Sequence, residues 1–132
     1  MSFFVDTSAL FALLSADDLN HSKAKRSWLD LLTREEELVT TNYVLVETFA
    51  LVQRRLGMEA VRILSEEILP VLEIEWIDET KHVEAVKKLI VTSKREISLV
   101  DHASFETMRR LEIKSAFAFD DDFAKQGFEC IP

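Results

Sequence analysis

The first eight residues constrain the fold more than any other stretch of the chain. Phe3, Phe4 and Val5 are consecutive apolar residues, which predicts a short strand buried on both faces. Asp6 ends this strand, and apolar residues with helical spacing resume from Ala9 to Leu14. In open α/β sheets, ligands bind at the carboxyl ends of the strands. Asp6 is therefore either a helix cap or part of a binding site, and acidic residues further along favour the site.

The rest of the chain alternates short strands with helices. We predict strands at residues 38–40, 72–77, 116–119 and 129–131, and helices at 21–33, 42–56, 58–69, 79–92 and 98–111. In the helix over 79–92, the residues expected to face the core are Val83, Val86, Leu89 and Ile90. This alternation indicates βαβ units and a mainly parallel sheet covered on both faces. With 132 residues, the chain is expected to form a single domain over 1–132.

Composition limits the possible functions. Cys130 is the only cysteine, so no intrachain disulfide can form and a reducing, cytoplasmic location is expected. The longest unbroken apolar run has six residues, too few for a membrane span, and no signal peptide is recognisable. The net charge of -8 argues against a general nucleic-acid coat protein, but allows an enzyme that meets nucleic acid through bound cations.

Glu47 stands in a segment, residues 43–52, that is apolar nearly all round. We therefore predict that this helix is buried and that its carboxylate is paired or coordinates a cation, because an isolated buried charge is costly. The alternatives are that Glu47 reaches Arg54 or Arg55, or escapes at a gap in the packing.

Two more acidic positions are expected near the same edge of the sheet. Asp101 lies three residues after Ser98, a spacing typical of a capping box, and it also falls in the first turn of a predicted helix. Asp120, Asp121 and Asp122 follow the strand over 116–119 as Asp6 follows the first strand. One acid suffices to cap a short helix, so three adjacent ones favour a site.

The acidic cluster predicts a hard divalent cation. Two carboxylates about 4 Å apart repel each other by roughly 4 kcal/mol at an effective dielectric constant near 20. Four around one pocket could not all stay ionised without a cation. Oxygen ligands select Mg²⁺ or Mn²⁺ rather than Zn²⁺. The three histidines share no metal-binding spacing.

Four segments together resemble the motifs of PIN-domain nucleases, and most closely the VapC-type ribonuclease toxins of toxin–antitoxin pairs. The segments are Val5-Asp6-Thr7-Ser8-Ala9, Thr41-x-x-Val44-x-x-Glu47, Ser98-Leu99-Val100-Asp101-His102-Ala103-Ser104-Phe105 and Ala116-Phe117-Ala118-Phe119-Asp120-x-Asp122-Phe123. The resemblance implies a Rossmann-like three-layer α/β/α sandwich with a central sheet of four or five mainly parallel strands.

The resemblance also implies Mg²⁺- or Mn²⁺-dependent hydrolysis of RNA that leaves a 5′-phosphate. By position, the catalytic metal ligands are Asp6, Glu47, Asp101 and Asp120, with Asp122 a further candidate and Ser8 the hydroxyl that helps order the site. The implied partners are an antitoxin protein and a second copy of the chain. Apolar residues of the first helices, namely Phe11, Leu13 and Trp28, serve either that homodimer or the core. Asp121 adds a negative charge beside the implied RNA path.

Two other functions compete with the nuclease. A phosphatase could use Asp6 as a nucleophile, although such sites typically have a second acid two residues later, where this chain has Ser8. A non-catalytic interaction module could use an acidic pocket to bind a metal or a basic peptide, which suits the net charge of -8.

Overall fold

Five strands and seven helices make up the computed structural model, which describes all 132 residues. The strands are β1 (Ser2–Val5), β2 (Glu37–Thr41), β3 (Glu73–Glu75), β4 (Ser115–Phe117) and β5 (Glu129–Ile131). The helices are α1 (Thr7–Leu14), α2 (His21–Thr33), α3 (Asn42–Leu56), α4 (Met58–Ile63), α5 (Glu79–Thr92), α6 (Leu99–Arg110) and α7 (Asp122–Lys125). None of the helices combines the length and the apolar character needed to cross a bilayer.

The strands form one parallel sheet in the order β3-β2-β1-β4-β5. The chain moves outward from β1 through β2 to β3, and then crosses back to β4 and β5. The direction of winding therefore changes between β1 and β4, which is where open α/β sheets bind their ligands. The sheet has five strands and is flanked by helices, so the predicted α/β architecture is confirmed.

The centre of the sheet is buried on both faces. Phe3, Phe4 and Val5 of β1 are all buried, although successive side chains of a strand point to opposite faces. Trp28 is part of this core and stacks on Phe117 with ring centroids 6.5 Å apart. Phe11 and Leu13, the other candidates for a dimer surface, pack against the core. Trp28 therefore serves the core, and Phe11 and Leu13 contribute to it while part of their surface stays exposed.

Side-chain caps fix the helices that begin at the carboxyl edge of the sheet. The Thr41 hydroxyl accepts a hydrogen bond from the Val44 N–H at 3.2 Å where α3 begins. The Asp78 carboxylate accepts from the Lys81 N–H at 3.0 Å at the start of α5. Gly57 ends α3 with a φ of 90°, a conformation that favours glycine.

Two details of the predicted helices are wrong. In α5, Val83 and Ile90 are 43% and 69% exposed and the small Ala85 is buried instead, because α5 packs chiefly on one neighbour, α6. The helix predicted over 58–69 loosens after Ile63 into a π-helical turn (Leu64–Ile68) and a 3-10 turn (Leu69–Val71). Pro70 is accommodated at the start of the 3-10 turn, because the first residues of such a turn need no N–H donor.

Candidate metal centre

Three aspartates meet at the carboxyl edge of the sheet. Asp6, Asp101 and Asp120 each offer one carboxylate oxygen, and these oxygens all lie within 4.8 Å of one another. Asp6 directly follows β1, Asp101 lies in the first turn of α6, and Asp120 follows β4 after two further residues. The structure thus brings together three of the four carboxylates predicted to be principal ligands, at the point where the winding of the sheet reverses.

Ser8 orients the Asp6 side chain. Its hydroxyl donates a hydrogen bond to Asp6 Oδ2 at 2.7 Å, and its backbone N–H donates to the same oxygen at 3.1 Å. The hydroxyl also accepts a hydrogen bond from the Phe119 N–H at 2.9 Å, which ties the end of β1 to the segment after β4. The sequence could not predict this contact of Phe119, because the donor is a main-chain N–H, which does not depend on the side chain.

Asp101 is both a helix cap and a member of the cluster. Its Oδ2 accepts a hydrogen bond from the Ser98 N–H at 3.0 Å, and the Ser98 hydroxyl accepts one from the Asp101 N–H at 3.0 Å. The predicted capping box is therefore confirmed. Since the cap uses only one carboxylate oxygen, the other is free for the cluster, and the two roles are compatible.

Asp120 is held by the start of α7. Its Oδ1 accepts a hydrogen bond from the Asp122 N–H at 3.2 Å. The buried Phe123 anchors this turn, since its ring lies 6.1 Å from that of Phe4 and 5.1 Å from that of Phe105. Asp122 itself lies outside the three-aspartate cluster. Asp121 is exposed and forms an ion pair of 3.5 Å with Lys125.

The electrostatics of the three aspartates favour a bound cation. None of them forms an ion pair with a lysine, arginine or histidine. Burial, with smaller contributions from the charges of Asp120 and Asp101, raises the pKa of Asp6 to about 7, although the hydrogen bonds from Ser8 act to lower it. Burial also raises the pKa of Asp120, with Asp101 adding to the shift. Each carboxylate keeps one oxygen without a protein donor, so the donor set fits a hard divalent cation.

The predicted burial of Glu47 is wrong. Glu47 is exposed, next to Val46, which is 70% exposed. The helix α3 packs with an adjacent side, where Val44, Thr48 and Val52 are buried, and Glu47 lies outside this buried side. Because residues 43–52 are apolar on nearly every side, the sequence did not show which side of α3 packs against the rest of the protein.

Glu47 is also outside the three-aspartate cluster. It lines an open cavity of about 370 Å³ together with Thr7, which directly follows Asp6, and with Arg54. Glu47 therefore lies on a surface that adjoins the cluster, and its role as a metal ligand stays a prediction.

Comparison with known proteins agrees with this geometry. The PIN domain family model matches residues 3–129. The chain belongs to the PIN domain family. A curated member of the family, the 23S rRNA-specific endonuclease VapC20 of Mycobacterium tuberculosis, is 38% identical over 126 residues, which cover 95% of this chain and 94% of VapC20.

Solved structures of related proteins share the PIN fold. The crystal structure of Mycobacterium tuberculosis VapC20, a sarcin–ricin loop cleaving toxin, has a TM-score of 0.84 at 37% identity and covers 98% of this chain and 99% of its own. VapBC2 from Rickettsia felis, bound to a DNA fragment from its promoter, has a TM-score of 0.71 at 14% identity, over 98% of this chain and 97% of that one. FitAcB from Neisseria gonorrhoeae has a TM-score of 0.69 at 18% identity, and the match covers 100% of this chain and 97% of the FitAcB chain. The last two show the fold alone.

Together these findings confirm the resemblance and the ribonuclease activity that it implied. The chain is a VapC-type PIN endoribonuclease with an acidic aspartate cluster. No observation favours the aspartyl phosphatase or the non-catalytic module.

Ser8→Ala tests whether Asp6 must be oriented for cleavage. We expect kcat to fall about 10- to 100-fold, the usual effect of removing a group that orients a metal ligand. Loss of the acceptor for the partly buried Phe119 N–H should also lower the free energy of unfolding by about 1 kcal/mol. RNA cleavage and urea unfolding measure the two effects. Ser104→Ala is the matched control, since Ser104 is buried and bonds only the Val100 carbonyl of its own helix. Equal kcat values for the two variants would contradict the role of Ser8.

Proposed function

We propose that this PIN domain hydrolyses RNA phosphodiester bonds with Mg²⁺ or Mn²⁺ held by Asp6, Asp101 and Asp120. The observation that carries the proposal is the pattern of hydrogen bonds at the three carboxylates. Each has one oxygen fixed by a protein donor and one oxygen free, and none has a cationic side chain as partner. A bound divalent ion would lower the pKa of a water molecule and offset the charge of the scissile phosphate.

The residues of the chain position these carboxylates before substrate binds. Ser8 fixes Asp6, the capping box fixes Asp101, and the first turn of α7 fixes Asp120. The three aspartate side chains therefore lose little conformational entropy when an ion and the substrate bind. The Ser8 hydroxyl is engaged by both Asp6 and the Phe119 N–H, so it is not available as a nucleophile. We propose water as the nucleophile, in keeping with the hydrolysis that the resemblance implies.

Two further acids are proposed as outer members of the site. Asp122 has its pKa raised by burial and by the charge of Asp101, which places it within the field of the cluster. Glu47 lines the adjoining cavity beside Thr7. Both are suited to hold a second ion or its water molecules.

Glu47→Gln tests this outer role. We expect cleavage to fall about 10-fold and the concentration of Mg²⁺ needed for half-maximal rate to rise, because one charge is lost near the ion without loss of a principal ligand. Rates measured over a range of Mg²⁺ concentrations give both values. Glu66→Gln is the control, as Glu66 is exposed in the π-helical turn outside the site. A Glu47→Gln protein that matches this control would remove Glu47 from the site.

The proposed substrate is the sarcin–ricin loop of 23S rRNA. This proposal rests on the 38% identity to VapC20 over 95% of the chain. From the resemblance to VapC-type toxins we also propose an antitoxin protein as partner, a cytoplasmic location and a homodimer as the working assembly. Of the three residues first considered for a dimer surface, Trp28 is buried, whereas Phe11 and Leu13 are only partly buried and keep surface for such an interface.

A pair of RNA stem–loops tests the substrate. One carries the sarcin–ricin sequence, and the other has the same stem with the loop sequence scrambled. We expect Mg²⁺-dependent cleavage at one position of the first loop, with product ends mapped by sequencing, and much slower cleavage of the second. Equal cleavage of both loops would contradict the proposed specificity, and cleavage of neither loop, nor of intact ribosomes, would contradict the substrate.

A further inference from the structure

Trp76 is exposed at the edge of the sheet that carries the aspartate cluster. It follows β3 directly, and 63% of its surface is accessible. The other tryptophan, Trp28, stacks on Phe117 in the core, whereas Trp76 makes no aromatic contact within the chain. A large aromatic side chain left free beside a catalytic cluster is suited to contact a ligand.

The strand register places the main chain of Trp76 near the level of Asp6, one member of the cluster. Thr41 of β2 pairs with Glu75 of β3, and Phe4 of β1 pairs with Val39 of β2. Two residues further along, Asp6 is therefore level with Thr41 and Glu75, and Trp76 lies one residue beyond that level. Two strand spacings separate β1 from β3, which amounts to about 10 Å. A nucleotide near the scissile phosphate can reach this position.

The backbone around Trp76 is held on both sides. The Asn42 side chain accepts a hydrogen bond from the Ile77 N–H at 2.6 Å and donates to the Ile77 carbonyl at 3.5 Å. Lys81 Nζ donates to the Trp76 carbonyl at 3.2 Å and forms an ion pair with Glu75 at 3.2 Å. The indole is thus presented from a fixed main chain, which reduces the entropy lost on binding.

We propose that Trp76 is a stacking platform for an unpaired base of the RNA substrate next to the cleavage site. This inference rests on the proposed ribonuclease function. A chain with a net charge of -8 gains little from phosphate contacts, and Lys81, the cation beside Trp76, is already paired. Stacking on a base needs no positive charge, and every base has a face to offer. Single-stranded loops, whose bases are free to turn outward, are the RNA elements that such a residue binds.

Steady-state cleavage of the sarcin–ricin stem–loop by Trp76→Ala tests the proposal. We expect KM to rise about 10-fold with kcat within about twofold of wild type, as expected for the loss of one base stack. The ratio of the two KM values should stay the same from about 50 to 200 mM salt, whereas a lost phosphate contact would make it salt-dependent. Trp76→Phe should restore most of the affinity. Val91→Ala is the control, because Val91 is exposed at the other end of α5.

Fluorescence gives a readout independent of turnover. In the inactive Asp6→Asn protein, the stem–loop should quench tryptophan emission, and the quenching should vanish in Asp6→Asn/Trp76→Phe, where only the buried Trp28 emits.

An unchanged KM in Trp76→Ala overturns the proposal while leaving the nuclease intact. A change in sedimentation without a change in KM would instead assign Trp76 to a protein interface and also overturns it. Absence of cleavage by the wild-type protein on any RNA would overturn both this inference and the proposed function.

Discussion

Asp101→Asn is expected to lower kcat for RNA cleavage at least about 1000-fold. The substitution removes one negative charge from the cluster that we propose holds the divalent ion, and such ions supply several kcal/mol of transition-state stabilisation. The fold should survive, because an asparagine Oδ1 can still accept the hydrogen bond from the Ser98 N–H that begins α6. The measurement is kcat at saturating RNA, with the thermal unfolding curve of the same preparation.

Asp78→Asn is the matched control for this prediction. Asp78 also caps a helix, α5, and loses the same charge on substitution, but it lies outside the aspartate cluster. We expect the control to keep its cleavage rate within about twofold. Full activity of Asp101→Asn, in protein purified free of metal and then supplied with Mg²⁺, would contradict the assignment of Asp101.

Asp6→Asn is expected to make the metal-free protein more stable at pH 8 while it abolishes cleavage. Burial, and to a smaller extent Asp120 and Asp101, raise the pKa of Asp6 to about 7 in the folded state, against about 3.9 in an unfolded chain. Between these values the folded state binds the proton more tightly. The free energy of unfolding of the wild-type protein therefore falls as pH rises from about 4 to above 7. Asparagine carries no charge in this window, so the variant avoids the loss.

Urea unfolding in EDTA at pH 5 and pH 8 measures this difference. We expect the variant to gain about 2 to 4 kcal/mol over the wild type between the two pH values. Burial lowers the pKa of His102, which acts in the opposite direction, but comparison of the two proteins at each pH removes this contribution. Asp121→Asn is the control, since Asp121 is exposed and paired with Lys125. If the free energy of unfolding of Asp6→Asn and of the wild type depended on pH in the same way, the raised pKa of Asp6 would be contradicted.

Local patterns were sufficient to predict most of the secondary structure. The helices over 21–33 and 79–92 and the strand over 129–131 were predicted with the bounds that the structure shows, because caps, apolar spacing and turn residues are local signals. The meeting of Asp6, Asp101 and Asp120 was also predictable, since parallel strands end at one edge of the sheet.

Features that depend on distant contacts were not predictable from local patterns. The exposure of Glu47 depends on which side of α3 meets the core, and an apolar segment with no polar side does not define it. The bond between Ser8 and the Phe119 N–H joins residues 111 positions apart and uses a main-chain donor. The sequence predicts only a strand around Trp76, over 72–77, because local patterns do not show that its side chain is exposed at the carboxyl end of that strand.

Cleavage of the sarcin–ricin stem–loop across a titration of Mg²⁺ and Mn²⁺ tests the central claim most directly. Wild-type and Asp120→Asn proteins are first freed of metal with EDTA, and Mn²⁺ binding is followed by calorimetry on the same samples. We expect no cleavage in EDTA, recovery with either ion in the wild type only, and loss of tight Mn²⁺ binding in Asp120→Asn. Cleavage at the wild-type rate in EDTA, or by Asp120→Asn with metal, would contradict a metal-dependent nuclease site built from the three aspartates.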